Sequence, residues 1–189
     1  MINIFSTPIS HKRFELASSP KFETGWEEQW LNYSFVTELK NFVDAQVNEY
    51  FIECGFKDII LNEYHVWVNS IEGSGKHIIP HNHGTALVGW VYYIDIPENS
   101  GDIVFLNPKG NNSWDYFYRT EDPRAPSEHS LLYKFKPRNG DLLIFPGWVL
   151  HYVEPNNSKQ PRISMAGEYH TREVTKALKY THKYNTNQD

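Results

Sequence analysis

Apolar positions follow two rhythms along this chain. Between residues 35 and 51 they recur every three or four residues, as Phe35, Leu39, Phe42, Val43, Val47, Tyr50 and Phe51. That spacing puts them on one face of a helix. Ser34 stands where a side chain can cap its start, and Gly55 where a glycine can end it. Trp26 and Trp30, four apart, predict a shorter helix before it.

From about residue 57 to 170 the rhythm changes to short β-branched and aromatic runs. These are Ile59 to Leu61, Tyr64 to Val68, Ala86 to Ile96, Ile103 to Leu106, Leu131 to Phe135, Leu142 to Phe145, Tyr152-Val153 and Ile163 to Tyr169. Turn signals separate them at Gly73-Ser74-Gly75, Glu98 to Gly101, Asn139-Gly140 and Asn156-Asn157. Many short strands with frequent turns predict a mainly β sandwich or barrel. Residues 107–130 form the longest stretch without a pattern and carry Trp114, Tyr116, Phe117 and Tyr118. Loops of that length commonly bind or cover a ligand, so specificity is expected there. Thr171 to Asp189 is a polar tail with helical character near Val174 to Leu178.

A chain of 189 residues fits one domain. The expected division is helical support over residues 1–56, a β core over 57–170 and a tail over 171–189. A net charge of −5 without a basic run argues against a nucleic-acid partner. Cys54 is the single cysteine, which excludes an intramolecular disulfide and a cysteine-based zinc site. Met1 to Ser10 lacks the pattern of a secretory signal, and no apolar run reaches the roughly 18 residues of a membrane span. The expectation is a cytoplasmic protein with no membrane contact. Oligomeric state is not legible.

Candidate chemistry begins with the nine histidines. His81 and His83 are two apart, so in an extended segment both rings face one point. Pro80 favours extended backbone just before them. His151 follows Phe145-Pro146-Gly147-Trp148 at the start of another predicted strand. Three ligands grouped on one side leave open coordination positions, as an iron oxygenase requires. A His-x-His pair also suits zinc sites and metal-binding barrels, and it occurs by chance on surfaces. His77, four residues before His81, is the other histidine of interest.

Arg162 adds to this pattern. It lies 11 residues after His151, beyond the turn Asn156 to Gln160, so a returning strand would bring it beside the histidines. Ser164 is two further on and faces the same way. An arginine fork with a hydroxyl is a good receptor for a carboxylate. Taken alone, such an arginine is more often exposed or in a structural ion pair.

Together these residues resemble the Fe(II)/2-oxoglutarate-dependent oxygenase superfamily, most closely its prolyl-hydroxylase-like branch and small bacterial and phage proteins near it. The resemblance covers about 60% of the chain, residues 57–170. Pro80-His81-Asn82-His83 is similar to the family's His-x-Asp iron motif. Gly89 to Ile94 resembles the next strand, where a tyrosine contacts 2-oxoglutarate, with Tyr93 the better match of Tyr92 and Tyr93. Gly101 to Phe105 resembles the glycine-led strand. Gly140 to Pro146 followed by His151 resembles the strand and turn that deliver the last ligand. Arg162-Ile163-Ser164 resembles the Arg-x-Ser that holds the distal carboxylate.

The resemblance implies a double-stranded β-helix, a jelly-roll or cupin-like barrel, with N-terminal helices packed on one sheet. It implies Fe(II) on His81, His83 and His151, and 2-oxoglutarate as co-substrate on Tyr93, Arg162 and Ser164. It implies an oxidoreductase that hydroxylates a peptide or protein proline or a small metabolite. Trp67, Trp90 and Trp148 are candidates for the substrate side, with core packing the competing role.

One departure stands out. His83 occupies the family's usual carboxylate position, so the site gains one positive charge if His83 is a ligand. Asp95 has the strand parity to supply an acid instead, or His83 lies behind the ligands. Three alternatives to the 2-oxoglutarate enzyme remain at this point. They are a three-histidine iron dioxygenase that does not use it, a non-catalytic metal- or ligand-binding barrel, and a zinc hydrolase.

Overall fold

The computed structural model describes residues 7–16, 35–56, 61–109 and 131–174. The expected helix around Trp26 and Trp30, the Ser34 cap, Ile59 and Ile60, the loop from 110 to 130 and the tail beyond 174 lie outside them.

Among the described residues the elements run in the order β1 (Ser10–Arg13), α1 (Phe35–Glu53), β2 (Leu61–Ile71), β3 (Ile78–His81), β4 (Val88–Asp95), β5 (Ile103–Leu106), β6 (Leu132–Phe135), β7 (Asp141–Pro146), β8 (His151–Val153) and β9 (Arg162–Thr171). The strands form a five-stranded sheet, β1-β7-β4-β9-β2, and a four-stranded sheet, β3-β8-β5-β6. All pairings are antiparallel. This is the two-sheet barrel of the double-stranded β-helix.

Alternation along the central strands sorts side chains into two cores. On β4 and β9, Val88, Trp90, Tyr92, Ile163, Met165 and Tyr169 point outwards and meet Leu39, Val43, Val47 and Tyr50 of α1. Burying that helix face against the sheet is the main support of α1, since helices in proteins owe most of their stability to tertiary packing rather than propensity. The Tyr169 hydroxyl also donates to Asp44 of α1. Gly55, at φ 83°, ends the helix. Its N–H donates to Ile52 O and that of Phe56 to Phe51 O, each at 3.0 Å.

The opposite face of the large sheet looks at the small sheet. Val91, Tyr93, Leu143, Phe145 and Ala166 there meet Ile103 and Phe105. This second core fills the space between the sheets and floors the site described below.

Two strands escape the hydrophobic pattern. Ser10–Arg13 has no apolar run; it pairs with the edge of β7, and His11 Nε2 lies 3.0 Å from buried Asp141 Oδ1. Ile78–His81 contains Pro80, which an edge strand tolerates because it need not donate on its open side. No helix among the described residues is long and apolar enough to cross a membrane.

Candidate metal and co-substrate site

His81 and His151 face each other directly, as cross-strand partners at the ends of β3 and β8. His83 follows in a turn fixed by two backbone bonds, its N–H to Gly147 O at 2.8 Å and Ala86 N–H to its own carbonyl at 3.0 Å. The result is a cluster in which one ligand atom from each of His81, His83 and His151 lies within 4.8 Å of the others. One ion can touch all three.

Hydrogen bonding fixes which nitrogen is offered. His81 Nδ1 lies 2.9 Å from Ile79 O, and His151 Nδ1 lies 2.9 Å from Val149 O. His83 Nδ1 lies 3.3 Å from Glu168 Oε1. Carbonyls and an ionised carboxylate only accept, so each Nδ1 carries a proton and each Nε2 keeps a free lone pair. Burial pushes His151 down to about 3, with the Val149 carbonyl acting the other way and His81 and His83 adding to the fall. Its ring is therefore neutral near pH 7, as a metal ligand must be.

The surroundings are close-fitting and apolar. The Phe145 ring lies 4.7 Å from that of His151 and 6.0 Å from that of His83. A β-carbon added at Gly89 would sit 2.9 Å from Phe145 Cε2 and 3.0 Å from His83 Cδ2. Glycine at that strand position leaves room for the His83 ring.

Deeper between the sheets, Arg162 and Ser164 lie on the inner face of β9, and Ser164 is the register partner of Tyr93. The guanidinium carbon of Arg162 is 5.1 Å from the centre of the Tyr93 ring. Arg162 is 1% exposed and Tyr93 0%. Among the described residues, Arg162 Nε and Nη2 and the Tyr93 hydroxyl find no hydrogen-bond partner. Burial pushes the Tyr93 phenol up, opposed by Arg162, and pushes the Arg162 guanidinium down, opposed by Tyr93. Buried donors without acceptors are costly, and a carboxylate answers this need directly. The donor set thus fits both groups that the sequence resemblance implied: an ion on three imidazoles, and a dicarboxylate reaching inwards from it.

The other candidates divide. Trp67 packs on the inner core, its ring 5.9 Å from that of His83. Trp148 is half exposed in the turn before His151. Trp90 does not face the site: it is 1% exposed in the helix-side core, because it shares strand parity with Tyr92 rather than Tyr93. Asp95 is exposed at the opposite end of β4 from Gly89 and does not join the histidines. His77 is also exposed and outside the cluster.

Glu168 is the acid that sequence reasoning missed. It sits between His83 and His170, with Oε2 3.0 Å from His170 Nε2. Burial raises its carboxyl, but hydrogen bonds from His83 and His170 outweigh that and hold it below the usual range. The signal that could have found it is parity: the alternation that aligns Ser164 with Arg162 continues through Ala166 to Glu168.

A two-sheet barrel with three imidazoles at one end and a buried arginine inside, its Nε and Nη2 without acceptors, has the donor set to hold a metal ion and a carboxylate. The family model "Putative 2OG-Fe(II) oxygenase" matches residues 65–168, more than half of the chain, and the chain belongs to that family. It is a family of oxidoreductases that use Fe(II) and 2-oxoglutarate.

Among solved structures, the chain is similar to a 2OG-Fe(II) oxygenase-family oxidoreductase from Burkholderia pseudomallei. Identity is 15% and TM-score 0.51, over 71% of this chain and 56% of that one. It is also similar to the non-heme alpha ketoglutarate dependent epimerase SnoN from nogalamycin biosynthesis, at 16% identity and TM-score 0.52, over 76% of this chain and 58% of that one. A prolyl hydroxylase from Trichoplax adhaerens, in complex with a hypoxia inducible factor peptide, aligns at 19% identity and TM-score 0.47, over 73% and 58%. At such identities the likeness is one of fold. The chain spans little more than half the length of these proteins. No curated protein matches it significantly.

Proposed function

We propose that this chain is an Fe(II)- and 2-oxoglutarate-dependent oxygenase that hydroxylates a C–H bond of a peptide or small-molecule substrate. His81, His83 and His151 hold the iron through Nε2. Arg162, Tyr93 and Ser164 receive the distal carboxylate of 2-oxoglutarate. The observation that carries this reading is the buried Arg162–Tyr93 pair, in which Arg162 Nε and Nη2 and the Tyr93 hydroxyl have no hydrogen-bond partner among the described residues, inside the same barrel as the three-histidine cluster.

Bound together, Fe(II) and 2-oxoglutarate supply the chemistry by which O2 oxidises a C–H bond, with release of succinate and CO2. The chain's own residues do the rest. Ile79 O, Val149 O and Glu168 hold the three imidazoles in the ligating tautomer. Arg162 matches a carboxylate with two parallel bonds and fixes its register, while Tyr93 adds a donor. Phe105, Phe145 and Trp67 line this interior with apolar surface and keep water from it. Trp148, in the turn before His151, is placed to meet substrate.

The test is anaerobic titration of the Fe(II)-loaded protein with 2-oxoglutarate, followed by succinate measurement on admitting oxygen. Saturable binding that Arg162→Ala abolishes is the expected result. Absence of binding overturns the assignment. A second reading is favoured by the histidine at position 83: an iron dioxygenase that does not use 2-oxoglutarate, in which Arg162 binds the substrate. It predicts oxygen uptake with a substrate but no succinate.

A further inference from the structure

Two of the three ligand histidines are oriented by neutral acceptors, the backbone carbonyls of Ile79 and Val149. The third, His83, is oriented by a charged one, Glu168. This is also the histidine that stands in the family's carboxylate position. The carboxylate is held from both sides, Oε1 at 3.3 Å from His83 Nδ1 and Oε2 at 3.0 Å from His170 Nε2. The side chains of His83, Glu168 and His170 are 8%, 19% and 2% exposed, so the chain of contacts lies largely out of water. Salt screens a carboxylate this sheltered much less than one at the surface.

We propose that Glu168 is a positioning residue that returns to the metal centre the negative charge missing from position 83. Acting through His83, it accepts a hydrogen bond from Nδ1–H and makes Nε2 a stronger donor to the ion, as carboxylate–histidine–metal relays do. His83 and Glu168 together then replace one ligand carboxylate, with the charge moved one residue outwards. His170 keeps Glu168 from turning away. The proposal rests on the reading that His81, His83 and His151 bind iron.

The test compares Glu168→Gln with the wild type, in the native chain and in a His83→Asp background. Glutamine keeps an acceptor for Nδ1 but removes the charge. In the native background, Fe(II) affinity should fall about 10–100-fold, and the Fe(III)/Fe(II) potential should move upwards. In the His83→Asp background, where a charged ligand is already present, the same change should alter affinity by less than about threefold. Glu168→Asp, which keeps the charge, should restore part of both losses.

Unchanged affinity and potential in Glu168→Gln overturn the inference. So does an equal loss in both backgrounds, which would mark Glu168 as merely structural. A wild type whose Fe(II) affinity is indifferent to His151→Ala overturns the iron-site reading itself and this inference with it. A wild type that needs His151 but ignores Glu168→Gln overturns the inference alone.

Discussion

Arg162 and Tyr93 meet across β9 and β4, the guanidinium carbon 5.1 Å from the ring centre, with Arg162 Nε and Nη2 and the Tyr93 hydroxyl hydrogen-bonded to no described residue. A buried guanidinium with donors left unpaired works against folding, and the more distant charge of Asp102 opposes that cost only in part. Arg162→Met should therefore stabilise the ligand-free protein, by about 1–4 kcal/mol, while removing 2-oxoglutarate affinity. Thermal denaturation and calorimetric titration of the same preparations check both halves. A variant that is less stable, or that still binds, contradicts the assignment.

Stability of the metal-free protein should fall as pH falls. An unfolded histidine takes its proton near pH 6.5, whereas burial holds folded His151 down to about 3. Between those values the unfolded chain binds the extra proton, so acid favours unfolding, by up to about 1.4 kcal/mol per pH unit. Urea unfolding between pH 7 and pH 4 should show this slope, and His151→Gln should show less of it. Equal slopes would mean that His151 is not the group held neutral.

Gly89→Ala should damage the metal site more than the fold. The new β-carbon meets side-chain atoms of Phe145 and His83, which must give way by a few tenths of an ångström. Overpacking of this kind costs about 1–3 kcal/mol, and it falls on a proposed ligand. Fe(II) affinity should drop by roughly tenfold, with strand content unchanged by circular dichroism. Undiminished affinity would show that the His83 ring has slack.

Trp90→Phe should do the reverse. Trp90 fills the space between α1 and the large sheet, and the position of a β-carbon on Gly167 lies 2.7 Å from its indole. The smaller ring leaves a cavity worth about 1–3 kcal/mol of stability. Metal and 2-oxoglutarate affinities should stay within about twofold of wild type. A selective loss of ligand binding would return Trp90 to the site.

Much of this architecture was legible in the sequence. Leu39, Val43, Val47 and Tyr50 mark the helix face by spacing, and the central strands β4, β5 and β7 are mostly apolar runs buried on both sides, while β9 alternates apolar residues with Arg162, Ser164 and Glu168. Two of the edge strands were not. Ser10–Arg13 and Ile78–His81 owe their conformation to pairing with β7 and β8, and a partner leaves no periodicity in the strand it recruits. Histidine spacing pointed to the cluster, but it could not reveal Glu168, which only the register of β9 against β2 and β4 brings beside His83. Trp90 shows the converse limit: Trp67 and Trp90 look alike in a sequence, and strand parity decides which of them faces the interior.

The direct pairing of His81 with His151 has a bearing on how the small sheet is held together. β3 and β8 are short, and their ladder is broken between Ile78 and His81. An ion shared by His81 and His151 would tie two distant stretches of chain at the very rung where backbone pairing is thinnest. Metal would then act as a removable cross-link, one that binds only the folded chain and keeps these two strands together at the rim of the barrel. Slippage by a single residue would turn one imidazole to the other face and break the tie, so loading with iron would also proofread the strand alignment.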